Sequence, residues 1–300
     1  MLTRPQVQRY ASQSGLRDIM IAEKEIMLTY VLQLFGEKGF LDKLAFKGGT
    51  CLRKMILGSQ GRFSTDLDFT ALEGHEAADV IIDMLIALEA EPFHGVTFHV
   101  DDDSYYETLD GLSLGGNPTY KHDWNEGGES EIKLQISSRE TPTLPTESLE
   151  QFEQSYFTNL PFTPITIRCL AFEEIISEKI RACYQRNKAR DIYDLGVFAT
   201  RPLNQALVRR LVVLKLWQAD DAFDPSKLMA KFEDGSDFDW SDLKQLVRKD
   251  QSIDQKQIIT ACTKGFGYLT DMSEDEATLA ADAHQRECTL WEKLRTELPE

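Results

Sequence analysis

The sequence has few cysteines and histidines. Its five cysteines are widely spaced among 300 residues and include no Cys-x-x-Cys pair, which argues against a disulfide framework and indicates reduced thiols in the cytoplasm. The five histidines are isolated, and none is paired with Cys or Glu at metal-ligand spacing. The pattern therefore does not indicate Ser-His-Asp or Cys-His catalysis, or a zinc site.

Long hydrophobic runs are also missing. The start of the chain, MLTRPQVQRYASQSG, contains no apolar core of signal-peptide length, and the most apolar run, VIIDMLIALEA, is short and interrupted by Asp83. We therefore expect neither export nor membrane insertion, and we expect a cytoplasmic protein.

Positive charge is scarce overall but concentrated in one segment. The net charge is −17, with 42% hydrophobic and 28% charged residues, a composition typical of a globular protein. Residues 168–215 nevertheless hold ten Lys and Arg against five Asp and Glu. A bound polyanion is expected at this segment rather than over the whole surface.

Hydrophobic periodicity divides the chain into two parts. Apolar residues at helical spacing near 5–38 predict one or two helices, and LAFKGG and GRFSTDLDFTAL predict strands around the helix CLRKMIL. A helix through EAADVIIDMLIALEAE and a series of antiparallel strands follow, and the pattern is helical beyond PITIRCL. We expect an α+β fold, with a mixed-sheet lobe at residues 1–165 and a mainly helical lobe at residues 166–300.

Two aspartates, Asp66 and Asp68, are separated by one leucine in a predicted strand. Strand side chains alternate between faces, so we expect both aspartates on the face that also carries Arg62 and Ser64. Two such carboxylates repel each other unless a cation lies between them, and oxygen ligands of this kind suit Mg²⁺. A solvated strand face is the alternative explanation for an isolated Asp-x-Asp pair.

A Gly48-Gly49-Thr50 turn precedes this strand. Glycines let the backbone approach a phosphate closely, and the following helix N-terminus presents free N–H groups. We expect the Thr50 hydroxyl to cap that helix. The turn is either a phosphate cradle or a tight strand-to-helix connection, and it is not a P-loop, because no Gly-Lys-Ser/Thr follows.

The order of strand, Gly-rich turn, helix and Asp-x-Asp strand resembles the polymerase-β-like nucleotidyltransferases. Within them, FKGGTCLRK…GRFSTDLDF resembles the AbiEii/MenT group of nucleotidyltransferase toxins, and the resemblance covers roughly residues 15–200. It implies a polymerase-β-like lobe followed by a helical lobe, with Mg²⁺ bound by Asp66 and Asp68. It also implies that the nucleoside triphosphate, the co-substrate, contacts Lys47, Gly48, Gly49, Thr50, Arg53 and Ser64.

A second candidate group lies in FEEIISEKIRACYQRNKARDIYDLGVF. Lys179 falls within the apolar arc of this helix, so its ammonium has either a buried partner or a path along the helix to solvent. Asp191 and Asp194 are three residues apart and share a helical face, although Asp191 could equally be an N-cap. The resemblance implies that Lys179 contacts the triphosphate and that Asp191 is a further catalytic residue, with Asp194 a secondary candidate.

One position departs from the family pattern. Relatives often read Lys-[Leu/Ile]-Asp on a later strand, whereas this sequence reads IKLQIS, with Gln135 in place of the acid. Glutamine is neutral and a poorer Mg²⁺ ligand, so a full two-metal site is not assured. Three explanations stay open: Asp191 supplies the missing carboxylate, one ion suffices, or the activity is weak.

The resemblance also implies a function. Such toxins transfer a nucleoside monophosphate, often a pyrimidine, to the 3′ end of tRNA and block translation, and they are neutralised by a cognate antitoxin. The basic residues Arg181, Arg186, Lys188 and Arg190 agree with an RNA acceptor but equally with a solvated surface. The alternatives are transfer to a protein hydroxyl and a catalytically silent protein that binds nucleotide or a partner.

Overall fold

The computed structural model describes residues 1–108, 111–125 and 130–299. They form two compact units. The first, here called the sheet unit, comprises Met1–Pro142, Thr146–Leu170 and Gln245–Gln251. The second, here called the helical unit, comprises Thr143–Pro145, Ala171–Lys244 and Ser252–Glu300.

The sheet unit begins with two helices, as the periodicity near 5–38 predicts. Its helices are α1 (Arg4–Gln13), α2 (Ile19–Glu37), α3 (Gly48–Cys51), which continues as a π-helical turn through Leu52–Leu57, and α4 (Ala77–Ala90). Its strands are β1 (Leu44–Lys47), β2 (Asp66–Ala71), β3 (Val96–His99), β4 (Tyr105–Glu107), β5 (Ser113–Gly116), β6 (Thr119–His122), β7 (Ser130–Glu131), β8 (Lys133–Ser137), β9 (Glu147–Leu149) and β10 (Ile167–Cys169). Leu109 and Asp110, which fall within the predicted series of antiparallel strands, lie outside the described residues.

The strands form a mixed sheet and a smaller antiparallel sheet. In the described chain, seven strands pair in the order β4-β5-β8-β2-β1-β10-β9, and three pair in the order β3-β6-β7. The pairs β2–β8 and β1–β10 are parallel, and the other neighbours are antiparallel. Central strands bury Phe46, Leu67, Phe69, Leu134 and Ile136, whose removal from water stabilises the sheet unit.

The strand predicted over GRFSTDLDFTAL is shorter than the alternation suggests. It begins at Asp66, and residues 62–65 are not part of it. Its neighbour β1 pairs with Asp68 onward, and β8 pairs with Asp66 onward, so no ladder partner reaches residues 62–65. The Phe63 amide instead donates to the Leu246 carbonyl at 2.7 Å. The prediction that Arg62 and Ser64 share a strand face with the aspartates is therefore wrong.

The helical unit confirms the helical pattern predicted beyond PITIRCL. Its elements are α5 (Phe172–Gln185), α6 (Ala189–Phe198), α7 (Gln205–Gln218), α8 (Pro225–Asp234), α9 (Leu243–Leu246, which ends within the sheet unit), α10 (Gln255–Gly265), α11 (Glu274–Ala281) and α12 (Cys288–Thr296). A buried ion pair joins two of them, because Lys215 of α7 donates to Glu174 of α5 at 2.8 Å. Glu174 also accepts from the amides of Thr143 and Leu144, which satisfies a carboxylate with no exposure to water.

None of the described helices combines the length and the apolar character that a membrane crossing requires.

Candidate active site

The diglycine turn ends β1 directly beside one of the two aspartates. Gly48 has φ of 79°, a conformation that non-glycine residues rarely adopt, and a Cβ added to it would collide with the Asp68 carboxylate. A Cβ on Gly49 would lie 2.8 Å from both the Arg62 guanidinium and the Ser64 hydroxyl. Gly48 therefore requires glycine, because its φ is positive and a Cβ there would displace the Asp68 carboxylate, whereas a Cβ on Gly49 would displace only the ends of two side chains.

Thr50 holds the turn against the aspartate strand. Its hydroxyl, almost fully buried, donates to the Asp66 carbonyl oxygen. The predicted cap is therefore wrong: α3 begins at Gly48, with Lys47 as the N-cap residue, and Thr50 lies inside the helix. The hydroxyl bonds across to β2 because that carbonyl, at the start of the strand, lies within its reach.

Asp66 and Asp68 project from the same face of β2, as the alternation predicts. Both are half-buried, whereas Leu67 and Phe69 on the other face have no exposure to water. The Thr65 hydroxyl donates to Oδ1 of Asp66 at 3.3 Å. The two carboxylates share one strand face, and the missing Cβ of Gly48 allows the Asp68 carboxylate to lie directly against the turn.

Gln135 occupies the neighbouring position on the sheet. It lies on β8, opposite Asp68 in the parallel β2–β8 pair. The departure noted in the sequence therefore lies immediately beside the aspartate pair. In the described part of the chain, no group of three or more His, Cys, Asp or Glu side chains could hold a metal ion. The candidate donor set is two carboxylates, a number that Mg²⁺ accepts when phosphates and waters complete its coordination.

Arg53 is engaged in holding the loop before β2. Its Nε donates to the buried Glu25 carboxylate at 3.0 Å, and its NH1 donates to the carbonyls of Gly58 and Gly61. The guanidinium also lies over the Phe63 ring, 4.3 Å from the ring centroid. These contacts give Arg53 a structural task in the sheet unit.

Lys47, predicted to contact the triphosphate, and Arg62, predicted only to share the aspartate face, are almost fully buried. Arg62 donates to the Phe63 carbonyl at 3.0 Å and, with Ser64, lies against Gly49. Ser64 thus adjoins the turn although it does not belong to the strand. The structure brings Gly48, Gly49, Thr50, Ser64, Asp66 and Asp68 together at one edge of β1 and β2.

The helical unit contains the second predicted group. The Lys179 ammonium lies 3.2 Å from Oδ1 of Asp191 and 2.9 Å from Oδ2 of Asp194. Of the two explanations for a lysine in an apolar arc, the structure supports a buried partner rather than a path to solvent. Asp191 is in the first turn of α6, whose N-cap is Lys188, so the N-cap alternative for Asp191 does not hold.

Asp191 is held ionised by two cations. It has no exposure to water, and the Arg186 side chain donates to it through Nε at 2.7 Å and NH2 at 3.2 Å. Burial alone would raise the pKa of Asp191, but Lys179 and Arg186 outweigh it and hold that pKa well below its usual range. The sequence placed Arg186 only among the basic residues that could bind RNA, because Arg186 follows α5 and Asp191 lies in α6, and no helical spacing relates them.

The four basic residues that could bind RNA differ in their exposure to water. Arg181 is buried and lies 3.9 Å from Glu178, whereas Arg186 and Lys188 are exposed and Arg190 is half-buried. Fewer side chains are thus available to a polyanion than the sequence count suggests.

The chain resembles known toxins over most of its length. A model of the family described as nucleotidyl transferase AbiEii toxin, type IV toxin–antitoxin system, matches residues 31–277. Among solved structures, the chain is similar to MenT4, a nucleotidyltransferase toxin from Mycobacterium tuberculosis H37Rv, with 27% identity, a TM-score of 0.83 and 100% of each chain covered. A search of curated proteins gave no match.

Proposed function

This chain belongs to the AbiEii family of nucleotidyltransferase toxins of type IV toxin–antitoxin systems, and on that premise we propose that it transfers a nucleoside monophosphate to the 3′ end of tRNA in the cytoplasm. The observation that carries the proposal is the close approach of Gly48 to Asp68. A turn built for chain reversal alone does not need a carboxylate against it, whereas a site for a cation-bound triphosphate does.

The cation in the proposal is Mg²⁺, held by Asp66 and Asp68. The residues fit it: the donors are hard carboxylate oxygens on one strand face, and the missing Cβ of Gly48 lets the turn lie against one of them. When bound, Mg²⁺ supplies Lewis-acid polarisation of the phosphates and neutralises charge that builds on their oxygens. One ion is proposed rather than two, because Gln135 replaces the third carboxylate.

The remaining predicted residues receive distinct roles. We assign the backbone of Gly48 and Gly49, with Thr50 and Ser64, to the triphosphate, and we assign Lys47 to its negative charge. Lys179, which the resemblance also assigns to the triphosphate, has its ammonium between Asp191 and Asp194 within the helical unit. Arg53 acts through the loop that it holds. Asp191, predicted as catalytic, is proposed as a positioning residue, since its buried carboxylate is occupied by Lys179 and Arg186.

In the proposed reaction, an acceptor hydroxyl forms a bond to the α-phosphorus while the bond to pyrophosphate breaks and the hydroxyl proton leaves to solvent. The attacking and leaving oxygens lie roughly in line. A pyrimidine triphosphate is the proposed donor, and the exposed Arg186 and Lys188 are the proposed contacts for the tRNA backbone. A cognate antitoxin is the proposed partner, as the type IV toxin–antitoxin family implies.

The test is to incubate the protein with each labelled nucleoside triphosphate and Mg²⁺, together with total tRNA or with cell protein. We expect label at the tRNA 3′ end, little label with Asp68→Asn, and unchanged labelling with the exposed control Asp102→Asn. Label in protein would instead support transfer to a protein hydroxyl.

A silent nucleotide- or partner-binding protein is the second candidate, and Gln135 beside Asp68 is the observation that favours it. It predicts no label with any acceptor and no arrest of growth when the chain is expressed. We expect the opposite: expression arrests growth, and Asp68→Asn relieves the arrest while the protein stays folded.

A further inference from the structure

Tyr106 lies in the same row of the sheet as the aspartate strand. Asp68 on β2 is opposite Gln135 on β8, Gln135 is opposite Gly115 on β5, and Gly115 is opposite Tyr106 on β4. Residues opposite one another in a sheet project from the same face. The side chains of Asp68, Gln135 and Tyr106 therefore share one face, with a glycine between the last two.

The glycine gives the tyrosine its position. A Cβ on Gly115 would collide with the Cζ and the hydroxyl oxygen of Tyr106, so the ring lies across the space that this glycine leaves. The ring reaches from β4 over β5, in the direction of Gln135. The Lys133 ammonium lies 6.0 Å from the ring centroid on the same part of the surface.

The Tyr106 hydroxyl is a donor that the described residues leave unused. Its oxygen is buried, and no hydrogen-bond partner for it occurs among them, which is costly for a polar atom. Burial, followed by the charges of Asp68 and Asp66, raises the pKa of Tyr106 to about 12. The phenol therefore stays protonated at neutral pH and can donate to an oxygen of a bound molecule.

The side from which the acceptor hydroxyl attacks indicates which bound molecule accepts this hydrogen bond. The Gly48 turn lies at the end of β1, on one side of Asp68, whereas Gln135, Gly115 and Tyr106 lie on the other side. With the triphosphate at the turn, in-line transfer places pyrophosphate near the turn and brings the attacking hydroxyl from the opposite side. That side is the row that ends at Tyr106.

We propose that Tyr106 is an acceptor-binding residue, whose hydroxyl donates a hydrogen bond to the terminal ribose of the RNA that receives the nucleotide. The inference rests on the proposed function for the place of the triphosphate. Under this proposal, the neutral row Gln135–Gly115–Tyr106 replaces the third carboxylate. The row positions the acceptor by hydrogen bonds, whereas a third carboxylate would do so through a second metal ion.

The test compares Tyr106→Phe with Tyr105→Phe. Both remove one hydroxyl, but Tyr105 is 39% exposed and its side chain projects from the opposite face of β4. With total tRNA as the acceptor, we expect Tyr106→Phe to lower kcat/KM for tRNA about three- to tenfold, the loss of one hydrogen bond, and to leave KM for the triphosphate within about twofold. Tyr105→Phe should change neither constant.

A rise in KM for the triphosphate without an effect on tRNA would overturn the proposal, as would equal behaviour of the two variants. Gly115→Ala, which displaces the ring, should reproduce the acceptor defect of Tyr106→Phe. Binding of labelled tRNA, and separately of a nucleoside triphosphate with Mg²⁺, is measured on the same proteins. If the wild type transfers nothing, the proposed function fails. In that case the binding measurements still test the acceptor role: weaker tRNA binding by Tyr106→Phe than by Tyr105→Phe supports it, and unchanged tRNA binding rejects it.

Discussion

The acidic groups of the sheet unit and of the helical unit differ in how their charge is compensated. Asp66 and Asp68 are half-buried beside a turn that has no Cβ, whereas Asp191 has no exposure and Asp194 has 3%, and both carboxylates hold the Lys179 ammonium. Partial exposure allows a carboxylate to bind an external cation, and full burial demands an internal one. We therefore propose that similar residue types bind a cation in the sheet unit and position a lysine in the helical unit.

The largest effect is expected from removing one of the two half-buried carboxylates of the sheet unit. Asp68→Asn keeps the size of the side chain but removes the charge that would hold Mg²⁺, so nucleotide transfer should fall on the order of 10³-fold. The melting temperature is measured on the same variant, so that a loss of folded protein is distinguished from a loss of the metal ligand. Transfer by the variant within tenfold of the wild type would reject the metal role of Asp68.

The close contact between Gly48 and Asp68 can be tested with two glycines of similar backbone conformation. Gly48 has φ of 79° and Gly74 has φ of 81°, but only Gly48 has the Asp68 carboxylate against it, since no atom lies within 4 Å of a Cβ added at Gly74. Each Gly→Ala change should cost about 1–2 kcal/mol of the free energy of unfolding from strain alone. Gly48→Ala should also abolish most nucleotide transfer, because the added Cβ displaces the Asp68 carboxylate, and equal activity of both variants would show that this contact is not needed for transfer.

In the helical unit, the free energy of unfolding should depend on pH because of the buried Asp191 carboxylate. The folded-state pKa of Asp191 is depressed, so its stabilising contribution is complete above the unfolded-state value near pH 4 and is lost as pH falls toward the lower folded-state pKa. Asp191→Asn should cost about 3 kcal/mol at neutral pH, because Lys179 and Arg186 lose a shared partner. Urea unfolding at several pH values should show a weaker loss of stability below pH 4 in the variant than in the wild type, and parallel curves would contradict this.

The smallest effect concerns the contact between the turn and the aspartate strand. Thr50 and Thr70 are both almost fully buried, but the Thr50 hydroxyl donates to the Asp66 carbonyl, while the Thr70 hydroxyl has no partner among the described residues. Thr50→Val should destabilise the protein by about 1 kcal/mol and lower transfer a few-fold, because the turn loses its contact with β2. Thr70→Val should be neutral or stabilising, and thermal unfolding distinguishes the two outcomes.

Part of the candidate site follows from local rules. The alternation of a strand was sufficient to place Asp66 and Asp68 on one face, and the three-residue spacing of Asp191 and Asp194 was sufficient to place both on one face of a helix. The same alternation failed at Arg62 and Ser64, because a strand continues only where a neighbouring strand offers hydrogen-bond partners, and β1 and β8 offer none before Asp66. The prediction that Arg53 contacts the nucleotide came from its position in the motif. The motif gives no indication of the contacts that Arg53 makes with Glu25 and with the loop carbonyls.

The sequence by itself determined the α+β class, the glycine turn and the pairing of acids by spacing, because periodicity and backbone freedom are properties of neighbouring residues. Only the tertiary structure decided that Gln135 lies beside Asp68, that Tyr106 occupies the end of the same row, and that Arg186 shares Asp191 with Lys179. Strand register and burial depend on segments far apart in the chain. Strand register and burial are therefore visible only in the packed structure, which also shows which buried polar groups have hydrogen-bond partners.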